Sequence, residues 1–71
     1  QHGIYMYART NSGKTELIVL NSTDAEQVVA NDHYRIMTND SKSGKELISG
    51  KKIDLTKNMT VGARQSLIIE L

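Results

Sequence analysis

Tyr5 and Tyr7 are the side chains in this 71-residue sequence whose type and spacing come nearest to ligand chemistry. They sit in the alternating run Ile4-Tyr5-Met6-Tyr7-Ala8-Arg9. On a strand, that spacing puts both rings on one face, about 6.7 Å apart, with Arg9 beside them. Flat rings so placed can stack on successive sugars, which makes Tyr5, Tyr7 and Arg9 the candidate contact residues. The same three residues could instead line a buried inter-domain face, where a tyrosine supplies a large apolar area and one hydroxyl. With three tyrosines and no tryptophan in the chain, the interface is the favoured reading and the sugar platform the alternative.

A second pattern is the tripeptide Ser-Gly-Lys, present at Ser12-Gly13-Lys14, Ser43-Gly44-Lys45 and Ser49-Gly50-Lys51. Glycine beside lysine can cradle a phosphate, and Gly13-Lys14-Thr15 matches the end of a P-loop. That motif also needs a glycine five residues before Gly13, where Ala8 stands, and a helix after it, where Thr15 to Leu20 reads as a strand. All three copies are therefore predicted to be turns: glycine lets the chain reverse, serine bonds nearby backbone, and lysine stays solvated.

Other reactive groupings are sparse. His2 and His33 are too few and too far apart for a zinc site, which wants several ligands at characteristic spacing. No serine has a Gly-x-Ser-x-Gly context. Asp24 with Glu26, and Asp54 with Glu46, are conceivable carboxylate pairs, but nothing in the sequence sets them in a cleft. The sequons at Asn21, Asn39 and Asn58 read as turn residues. No catalytic residue, cofactor or metal is expected.

The elements that must position these residues are strands. Ile4–Arg9, the turn at 11–14 and the β-rich run Thr15–Leu20 form a predicted hairpin. Leu17-Ile18-Val19-Leu20 is apolar on both faces, as in a strand covered on both sides. Glu26–Val29 suggests a short strand, and His33–Met37 a single helical turn with Asn31 or Asp32 as N-cap. The polar stretch 38–45 reads as a loop. Glu46–Ile48, a turn at Ser49-Gly50 and Lys52–Leu55 suggest a second hairpin. Met59 and Val61 point one way, Gly62-Ala63 turns the chain, and Gln65–Leu71 closes it with Leu67, Ile69 and Leu71 inward. Strand signals at this spacing predict an all-β fold, a small antiparallel, Greek-key-like β-sandwich of about six to eight short strands.

Composition narrows the classes further. Hydrophobic residues at 38% and charged residues at 24% suit a folded domain and are too apolar for a disordered tail. A net charge of +1 gives no concentrated basic face for nucleic acid. No apolar run approaches the roughly 18 residues of a membrane span. Without cysteine there is no disulfide, which leaves the compartment open. The sequence starts on Gln1 in what reads as running sequence, so it is expected to be a fragment of a larger protein. A domain this small, without disulfide or metal, is expected to draw stability from docking on a partner.

The order of the elements resembles the C-terminal β-domain of α-amylase-like enzymes, glycoside hydrolase family 13, in the cyclomaltodextrinase and neopullulanase branch. The likeness runs through Gly3-Ile4-Tyr5-Met6-Tyr7-Ala8-Arg9 and the strand Lys14–Asn21. It continues through Asp32-His33-Tyr34-Arg35-Ile36-Met37, then Lys45–Leu55, then Met59–Leu71. Where the family often has proline, this sequence has Gly62-Ala63, so glycine is expected to make that turn. The resemblance implies a non-catalytic accessory domain, residues 1–71, packed on a preceding (β/α)8 barrel that holds the catalytic carboxylates. That barrel, in the same parent chain, is the expected partner and an α-glucan the alternative one. A periplasmic or secreted bacterial parent is the matching expectation for localisation.

Overall fold

The computed structural model describes residues 3–71. Seven antiparallel strands and one helical turn follow in order: β1 (Ile4–Asn11), β2 (Lys14–Asn21), β3 (Gln27–Val29), α1 (Asn31–Tyr34), β4 (Ser43–Glu46), β5 (Lys52–Asp54), β6 (Met59–Val61) and β7 (Ser66–Glu70). A five-stranded sheet runs β1-β2-β7-β4-β5, and a two-stranded ribbon pairs β3 with β6. The last strand thus sits in the centre of the larger sheet, between the first hairpin and the second. The fold is all-β, as the alternation predicts.

The β1–β2 hairpin forms where expected. Ser12 and Gly13 take positive φ, 54° and 79°, the pattern of a primed turn that matches the twist of the flanking strands. Its register pairs Asn11 with Lys14 and Ile4 with Asn21. One face of this sheet meets the ribbon. Leu17, Val19, Leu67 and Ile69 pack there against Val29, Tyr34, Leu55, Met59 and Val61 in one core, with Ile4, Met6, Ile53 and Leu71 at its margin. Tyr34 anchors α1 beneath the ribbon, and its hydroxyl donates to the Lys57 carbonyl.

Three local expectations are corrected. The second hairpin begins earlier: β4 is Ser43–Glu46, so the second Ser-Gly-Lys copy lies inside a strand and not in a turn. Its inward positions are Gly44 and Glu46, neither apolar, which hides the period-two signal. Gly44 is there for close approach, since a Cβ would lie 2.6 Å from Ile69 Cγ2 and 2.9 Å from the Glu70 carbonyl oxygen. Leu47 and Ile48, read as strand, fall in the exposed turn after it.

The helical turn is capped from outside. Ala30 holds the N-cap position without a side-chain bond. Asn58 Oδ1 accepts the Asn31 N–H at 3.1 Å instead, while Asn31 Nδ2 donates to the Leu55 carbonyl at 2.8 Å. The turn before β7 is made by Arg64 at φ 57°, not by glycine, with the Gln65 N–H closing on the Gly62 carbonyl at 3.0 Å.

Candidate functional site

Among the described residues, none forms a layer over the face of the five-stranded sheet that turns away from the ribbon. The register sets its side chains in rows. Tyr5 lies opposite Leu20, and Leu20 opposite Ser66. In the next row Tyr7, Ile18 and Ile68 follow one another across three strands. Leu47 joins this row beside Ile68, whose carbonyl accepts its N–H at 2.8 Å. Tyr5 is 60% exposed and Tyr7 50%, and Leu20 and Leu47 are open as well. Ile18, flanked in register by Tyr7 and Ile68, is only 6% exposed. The expectation that β2 is covered on both faces therefore holds at Ile18 and fails at Leu20.

The third row is charged and crosses all five strands. It reads Arg9, Glu16, Glu70, Lys45, Lys52 by direct register. Arg9 grips Glu16 through Nη2 at 2.7 Å and Nε at 3.2 Å. That hydrogen-bonded carboxylate pushes the pKa of the guanidinium up. Lys14 reaches Glu70 at 3.9 Å. Lys45 and Lys52 then stand opposite each other with no ion pair for either among the described residues. Like charges in directly opposed positions destabilise a sheet, by roughly 0.2–1 kcal/mol. The open face is thus apolar at one end and of mixed charge at the other, where Lys45 also lies opposite Glu70 and the charge of Lys52 acts on Asp54.

Tyr5, Tyr7 and Arg9 do share this face, on its edge strand. Sequence reasoning missed Leu20, Ile68, Leu47, Lys45 and Lys52. Only the strand order β1-β2-β7-β4-β5 brings them beside the tyrosines, and no local pattern carries that order.

The remaining candidates are engaged elsewhere. Asp24 accepts from Arg64 Nε at 2.7 Å. Asp54 and Glu46 do line one cleft, of about 270 Å³, contrary to expectation. Glu46, however, is 3% exposed and has both oxygens occupied by backbone: Ser49 N–H at 2.7 Å, Ile68 N–H at 3.1 Å and Ile48 N–H at 3.2 Å. Burial pushes this carboxyl up, but those donors outweigh it and hold its pKa at about 2. Such a group accepts protons poorly and fastens the β4–β5 turn to β7. Asp54 accepts from the Thr56 N–H at 2.9 Å and from its hydroxyl, which lowers its pKa.

Asn21 is 3% exposed, with Nδ2 donating to the carbonyls of Ala25, Val61 and Gly62, so this sequon is a structural bracket. His33 is exposed and lines a shallow apolar cleft of about 400 Å³ with Ile4, Met6, Val29 and Met37. His2 lies outside the described residues. Among the described residues no three histidine, aspartate or glutamate side chains are grouped to hold a metal.

Compared with known families, residues 1–70 match the sequence model of the cyclo-malto-dextrinase C-terminal domain. No curated protein matches the chain.

Proposed function

The chain belongs to the cyclo-malto-dextrinase C-terminal domain family, and from that premise we propose that it is a non-catalytic accessory domain of a glycoside hydrolase. Its parent would be an α-glucan-degrading enzyme of the cyclomaltodextrinase and neopullulanase type, in bacterial carbohydrate metabolism. Residues 1–71 would pack on the (β/α)8 catalytic barrel of the same chain and stabilise it. One observation carries this reading: among the described residues no layer covers one face of the larger sheet, and that face exposes Tyr5, Tyr7, Leu20 and Leu47 together. Covering apolar surface is worth about 25 cal/mol per Å², so each 100 Å² buried on a barrel contributes roughly 2.5 kcal/mol before ordering costs.

Comparing the parent enzyme with a version lacking this domain tests the proposal. The shortened enzyme should lose thermal stability by several degrees or fail to stay soluble, while whatever folds retains the bond-cleaving chemistry. Unchanged stability with lost chemistry would reverse the assignment.

A second reading has its own support. Tyr5 and Tyr7 are both at least half exposed on one face of an edge strand, the geometry of a stacking platform for maltooligosaccharide. Titration of the parent with maltooligosaccharide, before and after Tyr5→Ala and Tyr7→Ala, separates the two. Binding that the substitutions abolish selects the platform, and binding they leave untouched removes it.

A further inference from the structure

We propose that the edge of β1 is an interface between two copies of the chain, which pair antiparallel about Tyr7 and join their larger sheets into one. This is independent of the supporting role above. A barrel would lie over a face of the sheet, whereas this contact lies in its plane.

The molecule blunts its other edges and leaves this one bare. Among the described residues β1 pairs with β2 only, and its eight residues run in unbroken register without proline. The opposite edge, β5, is three residues long and carries Lys52 next to Lys51, and both strands of the ribbon are three residues long. Short edge strands and edge lysines are devices by which native sheets resist pairing with another chain. The charged side chain of β1, Arg9, is turned back onto Glu16 of β2 at 2.7 Å.

The register decides which backbone groups are free. The Asn21 N–H donates to Gln65, and the Thr15 carbonyl accepts from Leu71, so odd residues of β2 face β7. Even residues of β2 face β1, where they meet its odd residues. Ile4, Met6, Ala8 and Thr10 therefore point their N–H and C=O groups outward. One antiparallel self-pairing uses all four: Ile4 opposite the other copy's Thr10, and Met6 opposite its Ala8.

The side chains suit that register. Tyr7 meets Tyr7 on the two-fold axis, and Tyr5 meets Arg9 on either side, aromatic and cation–aromatic pairs with no like charges opposed. On the inner face the long Met6 meets the small Ala8. Ile4 and Met6 also line the apolar cleft of about 400 Å³ with Val29 and Met37, so the inner layer stops short of this edge. A neighbouring strand has room there. The centres of the two sheets would stand five strand steps apart, and a twist of about 20–25° per step turns their outer faces away from each other.

Sedimentation velocity of the parent enzyme, from dilute to concentrated, should show a reversible dimer. Ala8→Pro removes one outward N–H from each copy and keeps every β1–β2 bond, a substitution that edge strands accept. It should raise the dimer dissociation constant about tenfold or more, while the thermal midpoint of the dilute enzyme holds. Tyr7→Cys leaves the backbone untouched and sets two thiols in directly opposed, non-hydrogen-bonded positions, within disulfide reach. Mild oxidation should join two copies through position 7, identified by peptide mapping. Tyr5→Cys should not join to itself, because Arg9 stands opposite it. A parent that stays monomeric at every concentration would overturn the proposal. A dimer that Ala8→Pro leaves unchanged would overturn the strand pairing, since another surface would then hold it. Tyr5→Cys linking as readily as Tyr7→Cys, or neither linking in a dimer that Ala8→Pro weakens, would overturn the register about Tyr7. The supporting role is read separately, from the parent lacking this domain, so neither result decides the other.

Discussion

Glu46 shows how one side chain can look like chemistry and serve architecture. Its carboxylate replaces an apolar residue at an inward position of β4, and three backbone N–H groups satisfy it there. A group whose folded pKa is depressed stabilises the fold at pH values above its unfolded pKa, and that contribution fades as pH falls towards the folded value. Here the window runs from the ordinary carboxylate value of 4.5 down to about 2. Glu46→Gln offers an amide where the backbone needs an acceptor on both oxygens, so it should cost roughly 1.5–3 kcal/mol at neutral pH. The penalty should shrink steadily below about pH 4.5, because the carboxyl of the unfolded chain then takes up a proton that the folded one resists until about pH 2. Denaturant unfolding of both proteins at pH 7, 4 and 2.5 measures it. A difference that stays constant with pH would show that the carboxylate charge contributes nothing.

At the scale of elements, legibility follows from what each strand has to bury. The β1–β2 hairpin was readable because Asn11-Ser12-Gly13-Lys14 states the turn and Leu17 and Val19 state the core. The Ser43-Gly44-Lys45 strand was not, because its inward residues are Gly44, which makes room for Ile69, and Glu46, which is bonded rather than packed. Leu47 and Ile48 misled in the opposite direction, being apolar residues in an exposed turn. A helical turn does form after β3, but at Asn31–Tyr34 and not at His33–Met37, because its cap comes from Asn58 and long-range capping leaves no local trace. Of the site, the tyrosine edge was legible from period two alone. The rest of the face depends on β7 lying between β2 and β4, a pairing between elements far apart in the chain. The two kinds of glycine can be told apart by substitution. Gly50→Ala adds a Cβ in open space at φ 75° and should cost about 1 kcal/mol. Gly44→Ala drives a methyl against fully buried Ile69 and the Glu70 carbonyl, so about 1–3 kcal/mol and a loosened β4–β7 seam are expected. Chemical denaturation ranks them, and a Gly44→Ala protein as stable as Gly50→Ala would mean that β4 and β7 do not approach this closely.

For the molecule as a whole, the two faces of the larger sheet have opposite obligations. The inner face is satisfied by the ribbon and α1, while the outer face, apolar at one end and of mixed charge at the other, has no layer over it among the described residues. Seventy-one residues support a core worth at most about 3–5 kcal/mol, so stability and solubility of residues 1–71 on their own should depend on different residues. Tyr7→Lys combined with Leu20→Lys removes apolar area where it already meets water. Expressed alone, the double variant should unfold within about 0.5–1 kcal/mol of the unsubstituted chain. It should also sediment as a monomer at concentrations where the unsubstituted chain is expected to self-associate through its exposed apolar patch. In the parent enzyme the same pair of substitutions should do the reverse, leaving solubility unchanged and lowering the thermal midpoint, because two lysines would then be buried against the barrel without partners. Sedimentation velocity on the isolated chain and calorimetry on the parent give the two readings. If the isolated double variant lost several kcal/mol, Tyr7 and Leu20 would belong to the core of this chain and not to a face kept open for a partner.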